Sequence, residues 1–357
     1  MSNAVCRYLT NGLRVQAWGN NTLAASPCCY LPQVDITDPG FSQTMKDYNQ
    51  RTACYNCLSF VNGDTNNPNY PPTLAQHRID DVDHTHPVFA ELSIDTRCNA
   101  ACLMCSDSFS TMWAEQNIRY KIKTLDDYPD PQNDELIVEN LFKQFNWSHL
   151  RVLNFMGGEP LISQANALVM QRLIDTGVAS NIDLIFTTNG STLITEQQQK
   201  TFLHFKSVSF SYSVDGTEQQ FHYLRYPLNW SKLQKSIASA RELSKLMKVH
   251  IGINMTVGAL NIFSVNQVQE WARSLSPAIN SVETPACNDI MSLSALPESA
   301  RKMLRHRYSD QSRLLGQLSG PYSIEAQDKL LKYLDAWDQR RGLDWRATFP
   351  EAADYLK

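Results

Sequence analysis

The chain has 357 residues, 43% of them hydrophobic and 19% charged, with a formal net charge of −4. That length and apolar share suit one large domain plus a smaller one around a sizeable core, and exclude a disordered chain. The mild acidity gives no general pull toward nucleic acid or an anionic membrane surface, and no apolar run is long enough to span a bilayer.

Residues 1–7 lack the basic-then-apolar pattern of an export signal, so a cytoplasmic location is expected. Nine cysteines in such a chain point to metal binding or catalysis, not to a disulfide framework. Residues 1–80 are rich in Asn, Pro, Asp and Thr. Within them, 12–19 reads as a hairpin strand with a turn on each side, and 42–48 as a short helix. Residues 66–72 read as a loop. This segment has too little apolar material for a core of its own. A metal group held by Cys6, by Cys28 or Cys29, and by Cys54 and Cys57 would staple it. The same spacings also suit a four-cysteine zinc site. The acidic, His-bearing run 80–87 reads as a solvated linker.

Residues 88–94 alternate apolar and polar like a strand. Cys98-Asn99-Ala100-Ala101-Cys102-Leu103-Met104-Cys105 follows, with spacing C-x3-C-x2-C. Ser106 and Asp107 are expected to cap a helix running through Met112, Ile118 and Tyr120. Iron–sulfur cubanes take one Cys thiolate per iron, so three cysteines leave one iron without a protein ligand. An open coordination position on a bound metal marks chemistry more than scaffolding, as at zinc. A zinc knuckle is the alternative reading of the triad.

Further strands are expected at 151–155, 182–187, 207–214, 249–257 and 281–284. Helices at 136–145, 161–176, 195–205, 218–224, 231–247 and 262–275 separate them. This alternation predicts an α/β fold with a parallel sheet, and six βα units an incomplete barrel. Residues 297–340 read as two helices packed on the barrel exterior. The expected division is 1–80, a small cysteine-rich module; 81–290, the partial barrel; and 291–357, a helical C-terminal extension.

Gly157-Gly158-Glu159-Pro160 ends the second barrel strand. Its glycines allow a ligand close to the backbone, and Glu159 supplies a carboxylate for a cationic group. Thr187-Thr188-Asn189-Gly190 and Ser213-Val214-Asp215-Gly216 end the next two strands, where barrel folds bind ligands. Both are also good turns anywhere. Asn254 is a similar, weaker candidate. Cys287 reads as a buried small hydrophobe, with a hydrogen-atom donor or a late cluster ligand as the sharper reading. His222, Tyr223 and Tyr226 read as packing residues beside the open side of the barrel. There is no G-x-x-x-x-G-K phosphate loop and no G-x-S-x-G elbow.

The cysteine triad and the glycine–acid turn, in this order, resemble the radical S-adenosylmethionine (SAM) enzymes. Their cluster motif is C-x3-C-x-Φ-C with Φ aromatic; Met104 stands at Φ here. The resemblance implies a (β/α)6 partial barrel and a catalytic 4Fe–4S cluster on Cys98, Cys102 and Cys105. It implies that Gly157, Gly158, Glu159 and Pro160 hold the amino group of SAM, and that Asn189, Ser213 and Asp215 face its ribose and carboxylate. Cys6, the hairpin with Gly19, Pro27-Cys28-Cys29 and Cys54-Tyr55-Asn56-Cys57 resemble a twitch module, the half-size auxiliary-cluster (SPASM) domain, placed here before the barrel. That implies a second 4Fe–4S cluster on Cys6, Cys28, Cys54 and Cys57. The activity implied is reductive cleavage of SAM and hydrogen abstraction from a peptide or protein, with a reductase or flavodoxin-type electron donor. Modification of a small molecule such as a nucleotide or sugar, and a non-catalytic cluster scaffold, are the alternatives.

Overall fold

A computed structural model describes residues 12–19, 21–26, 32–49, 85–285 and 290–357. Cys6, Cys28, Cys29, Cys54, Cys57 and Cys287, and residues 80–84 of the acidic run, lie outside the described residues.

Nine strands are described: β1 (Gly12–Gly19), β2 (Thr22–Ser26), β3 (Val34–Asp35), β4 (Phe89–Ser93), β5 (Val152–Phe155), β6 (Asp183–Thr188), β7 (Ser207–Ser213), β8 (Val249–Val257) and β9 (Ser281–Pro285). They form one mixed sheet in the order β3-β2-β1-β4-β5-β6-β7-β8-β9. From β4 to β9 each strand pairs in parallel with the next, as the βα alternation predicts. The helices are α1 (Phe41–Asn49), α2 (Thr111–Arg119), α3 (Asp134–Gln144), α4 (Gln164–Asp175), α5 (Glu196–Phe202), α6 (Glu218–Leu224), α7 (Trp230–Leu243) and α8 (Val265–Ser274). The open sheet flanked by these helices has the form of an incomplete α/β barrel.

The expected hairpin exists, but it does not stand apart from the sheet. β1 pairs antiparallel with β2 and parallel with β4, from Gly12 opposite Phe89 to Gln16 opposite Ser93. Leu13, Val15, Leu23, Ala25, Phe41 and Met45 are buried in the same core as the barrel. The described part of residues 1–80 is thus anchored by backbone pairing and shared apolar packing.

Strand alternation gives the sheet two unlike faces. Register aligns Val15, Leu92, Phe155, Phe186, Phe210 and Ile251 across six strands on one face. Phe155, Phe186 and Phe210 stack at 5.2 and 5.8 Å, and Phe202 of α5 packs on the last two. The opposite face is mostly polar or small. One of its rows runs Arg14, Glu91, Asn154, Ile185, Ser209 and His250. Arg14 and Glu91 form an ion pair at 3.0 Å there.

Two expectations need correcting. The helix after the cysteine loop is capped by Ser110, whose hydroxyl accepts from the Trp113 N–H, and not by Ser106 or Asp107. Residues 297–341 hold three helices, not two: α9 (Glu298–Arg307), α10 (Ser312–Gln317) and α11 (Ile324–Arg341), followed by short α12 (Trp345–Thr348) and α13 (Pro350–Tyr355). Among the described residues no helix is long and apolar enough to cross a membrane.

Candidate active site

All parallel strands end on the same edge of the sheet, so the polar strand ends meet there. The cysteine loop leaves β4 and is tied to the start of α2. The Cys98 N–H donates to the Thr111 hydroxyl at 3.1 Å, and the Ser110 hydroxyl donates to the Ala100 carbonyl at 2.6 Å. One capping serine therefore starts the helix and fixes the loop.

The turn after β5 docks on the backbone that leads into the cysteines. The Gly158 and Glu159 N–H groups donate to the Asp95 and Arg97 carbonyls at 2.9 and 2.8 Å. Both glycines are required by this approach. A Cβ at Gly158 would lie 2.2 Å from the Arg97 carbonyl oxygen, and Gly157 has φ +101°.

Glu159 is buried, and its carboxylate is engaged on both oxygens. One accepts from the Leu161 N–H at 3.1 Å and the Thr188 hydroxyl at 2.8 Å; the other accepts from the Asn189 N–H at 2.7 Å. Burial holds its pKa above the usual carboxylate range, against the pull of these donors. Pro160 follows as the first residue of a 3-10 turn. Glu159 thus locks the β5 turn to the end of β6.

Asn189 carries the connection back to the cysteines. Its side-chain Nδ2 donates to the Asn99 side-chain Oδ1 at 3.0 Å and lies 3.8 Å from the Cys98 sulfur. Ser191 closes the group, accepting from Asn99 at 2.9 Å. Asp215 faces a different partner. One of its oxygens accepts from the Thr256 N–H at 2.7 Å, and the other lies 2.7 Å from the Arg225 guanidinium. Arg225 in turn places Nη1 3.7 Å from the Cys102 sulfur. Ser213 lies beside Asn254 in register on the polar face. His222 and Tyr223 are held by the Leu228 carbonyl and the Asp338 carboxylate, as packing residues would be.

Burial pushes the Cys98 thiol up to about 11 and raises Cys105 as well. Cys102 is also raised by burial, although Arg225 opposes the shift. Thiols in such a place give up their protons to a bound metal, not to water. Burial opposes the charge on Arg225, but Asp215 and the nearby cysteines outweigh it and keep the guanidinium charged.

Three thiols on one loop are a donor set of the type that takes a cubane cluster. Among the described residues no three His, Cys, Asp or Glu side chains converge to hold one metal ion. A four-iron cluster asks for one thiolate per iron. Two of the three sulfurs also have a side-chain N–H within reach, the type of contact that cluster thiolates take.

Helix α11 covers the loop from the far end of the chain. The Tyr333 hydroxyl donates to the Leu103 carbonyl at 3.3 Å, and Arg341 donates to the Ala101 carbonyl at 3.1 Å. Trp113 of α2 donates to the Cys102 carbonyl at 2.8 Å and meets Trp337 edge-on at 4.6 Å. The Arg341 guanidinium lies over Trp113, Tyr226 and Trp337 at 4.6–4.9 Å.

Sequence reasoning singled out neither Arg225 nor this cover. Arg225 follows helix α6, where an arginine ordinarily reads as a solvated complement to the helix dipole. Nothing in its spacing from the cysteines marks it.

No family model matches the sequence, and no curated protein matches it. Solved structures are similar in part. Native anSMEcpe with bound AdoMet aligns at 17% identity and a TM-score of 0.41, over 71% of this chain and 62% of that one. Native anSMEcpe with AdoMet and the Cp18Cys peptide aligns at 17% identity and a TM-score of 0.38, over 71% and 61%. SuiB of Streptococcus suis bound to its precursor peptide SuiA aligns at 11% and 0.36, over 75% and 52%. The chain therefore spans about three fifths of the anSMEcpe chain that it matches.

Proposed function

We propose that this chain is a radical SAM enzyme that abstracts hydrogen from a peptide or protein. One observation carries the reading. The Gly157–Glu159 turn is pressed on the backbone of residues 95–97 that feeds the cysteine loop, so the SAM-orienting motif and the cluster motif share one corner of the parallel sheet.

In this reading Cys98, Cys102 and Cys105 hold a 4Fe–4S cluster with one open iron. When bound, that cluster supplies the electron that cleaves SAM. The chain's own residues do the rest. Gly157 and Gly158 let a ligand approach the backbone closely. Glu159 fixes that turn through Thr188 and Asn189. Ser213 and Asn254 offer polar side chains on the same edge. Trp113, Trp337 and Tyr333 shield the back of the cysteine loop from water, which strengthens local electrostatics and protects reactive species. The peptide substrate rests on the resemblance of the N-terminal cysteines to an auxiliary-cluster module.

The test begins with anaerobic reconstitution and iron analysis. About four irons per chain are expected at the central loop, and about eight if Cys6, Cys28, Cys54 and Cys57 hold a second cluster. Reduced protein given SAM should release 5′-deoxyadenosine, and Cys98→Ala should abolish that release. A parent protein that holds its four irons yet releases none would sink the reading.

A further inference from the structure

We propose that Arg225 is a positioning residue for the cluster, a guanidinium pinned by Asp215 against Cys102 that sets the potential of one-electron reduction. The inference rests on the cluster reading above and goes beyond the ligands it names.

The contact is built by backbone as well as side chains. The Ala101 N–H donates to the Tyr226 carbonyl at 2.7 Å, and the Leu103 N–H to the Leu224 carbonyl at 2.8 Å. These two bonds bracket Cys102 on one segment and Arg225 on the other, so the two residues face each other in fixed register. The side chain is then held at its fork. Nη2 lies 2.7 Å from Asp215, and Nη1 is left 3.7 Å from the Cys102 sulfur. Asp215 cannot drift, because the Thr256 N–H holds its carboxylate and Asn261 donates to its carbonyl at 2.8 Å. Arg225 is 8% exposed and Asp215 1%.

Burying such a pair is costly, and apolar residues of similar volume often serve stability as well. A pair that serves only packing has no need to aim its free edge at a sulfur. The three sulfurs are also treated unequally. Cys98 has a neutral amide at 3.8 Å, Cys102 a guanidinium at 3.7 Å, and Cys105 contacts the Ser106 carbonyl at 3.6 Å. Reduction transfers one electron from an external reductant to the cluster; no bond forms and no proton moves. A fixed positive charge beside one thiolate favours that added negative charge, and hydrogen bonds to cluster sulfurs act in the same direction.

The experiment is a redox titration of the anaerobically reconstituted full chain without SAM, followed by electron paramagnetic resonance. Iron analysis and circular dichroism report loading and fold. Arg225→Gln should make reduction harder by about tenfold or more, a move of about 59 mV to more negative potential per tenfold. Asp215→Asn leaves the guanidinium without its counter-charge and should move the potential the other way. Arg225→Lys keeps the charge and should move it less than Arg225→Gln. If Arg225→Gln loses its iron, the positive shift in Asp215→Asn and the smaller negative shift in Arg225→Lys decide the matter. A folded, iron-loaded Arg225→Gln with the parent potential would overturn the inference, as would shifts of the same sign in Arg225→Gln and Asp215→Asn. A parent that binds no four-iron cluster is seen before any variant is made, and it overturns the cluster reading instead.

Discussion

A single methyl group at Gly158 would meet the Arg97 carbonyl oxygen at 2.2 Å, far inside contact distance. That oxygen belongs to backbone, so it cannot swing aside as a side chain would. Gly158→Ala is therefore expected to lift the turn off residues 95–97 and weaken the Glu159 N–H bond to Arg97. The measurable result is at least a tenfold loss of SAM-dependent 5′-deoxyadenosine release, with a thermal midpoint lowered by several degrees. An alanine variant with parent-like turnover would show that the close docking is dispensable. The glycine–acid turn was legible in the sequence because its chemistry is local: two residues without side chains and an acid at a strand end. Arg225 was not, because its sulfur partner is 123 positions away. A contact of that separation is made by the register of two loops, which no local pattern encodes.

Among the elements, α11 departs furthest from expectation. Its sequence reads as a polar-faced helix on the barrel exterior, yet Tyr333, Trp337 and Arg341 bring it onto the cysteine loop. Helical periodicity reveals that a face exists but not what it covers. The edge-on pair of Trp113 and Trp337 contributes about 0.5–1.5 kcal/mol beyond the area it buries. The far end of α11 is joined to α12 by Asp335, which accepts from Trp345 Nε1 at 3.0 Å and from Arg346 at 2.6 Å. The hydrogen bond from Arg346 holds the Asp335 carboxyl below the usual carboxylate range. Its stabilising effect is therefore present above the unfolded value near pH ~3.9 and is lost as pH falls through the folded one. Asp335→Asn should flatten the acid limb of the stability–pH curve below about pH 4. Chemical denaturation of parent and variant across that range would check it, and parallel curves would rule it out. Both groups are half-exposed, so the effect is small.

At the scale of the whole molecule, the sheet was largely legible and its edge was not. The six strands β4 to β9 follow the expected order, because βα alternation leaves few other arrangements. The strand at 12–19 was also visible, but its parallel partner β4 was not. Parallel pairing joins distant segments and leaves no turn to read. Without β1 and β2, β4 would present a free edge carrying Ala90 and Leu92, both fully buried now. Removing residues 12–26 is expected to make the shortened chain more prone to aggregate than the parent, since an unpaired apolar edge strand recruits other chains. Size-exclusion chromatography of the shortened chain would report it, and a clean monomer peak would contradict it.

The partnership of β1 with β4 also imposes an order on synthesis. Gly12 pairs with Phe89, so the hairpin leaves the ribosome long before the strand that anchors it. At ordinary elongation rates the delay is about 4–15 s, far longer than the microseconds a hairpin needs to close. The first part of the sheet to be made is thus locked in only after Phe89 and the rest of β4 have followed. During that interval β1, β2 and β3 can pair only among themselves, and one edge of β1 waits in water for a partner not yet translated.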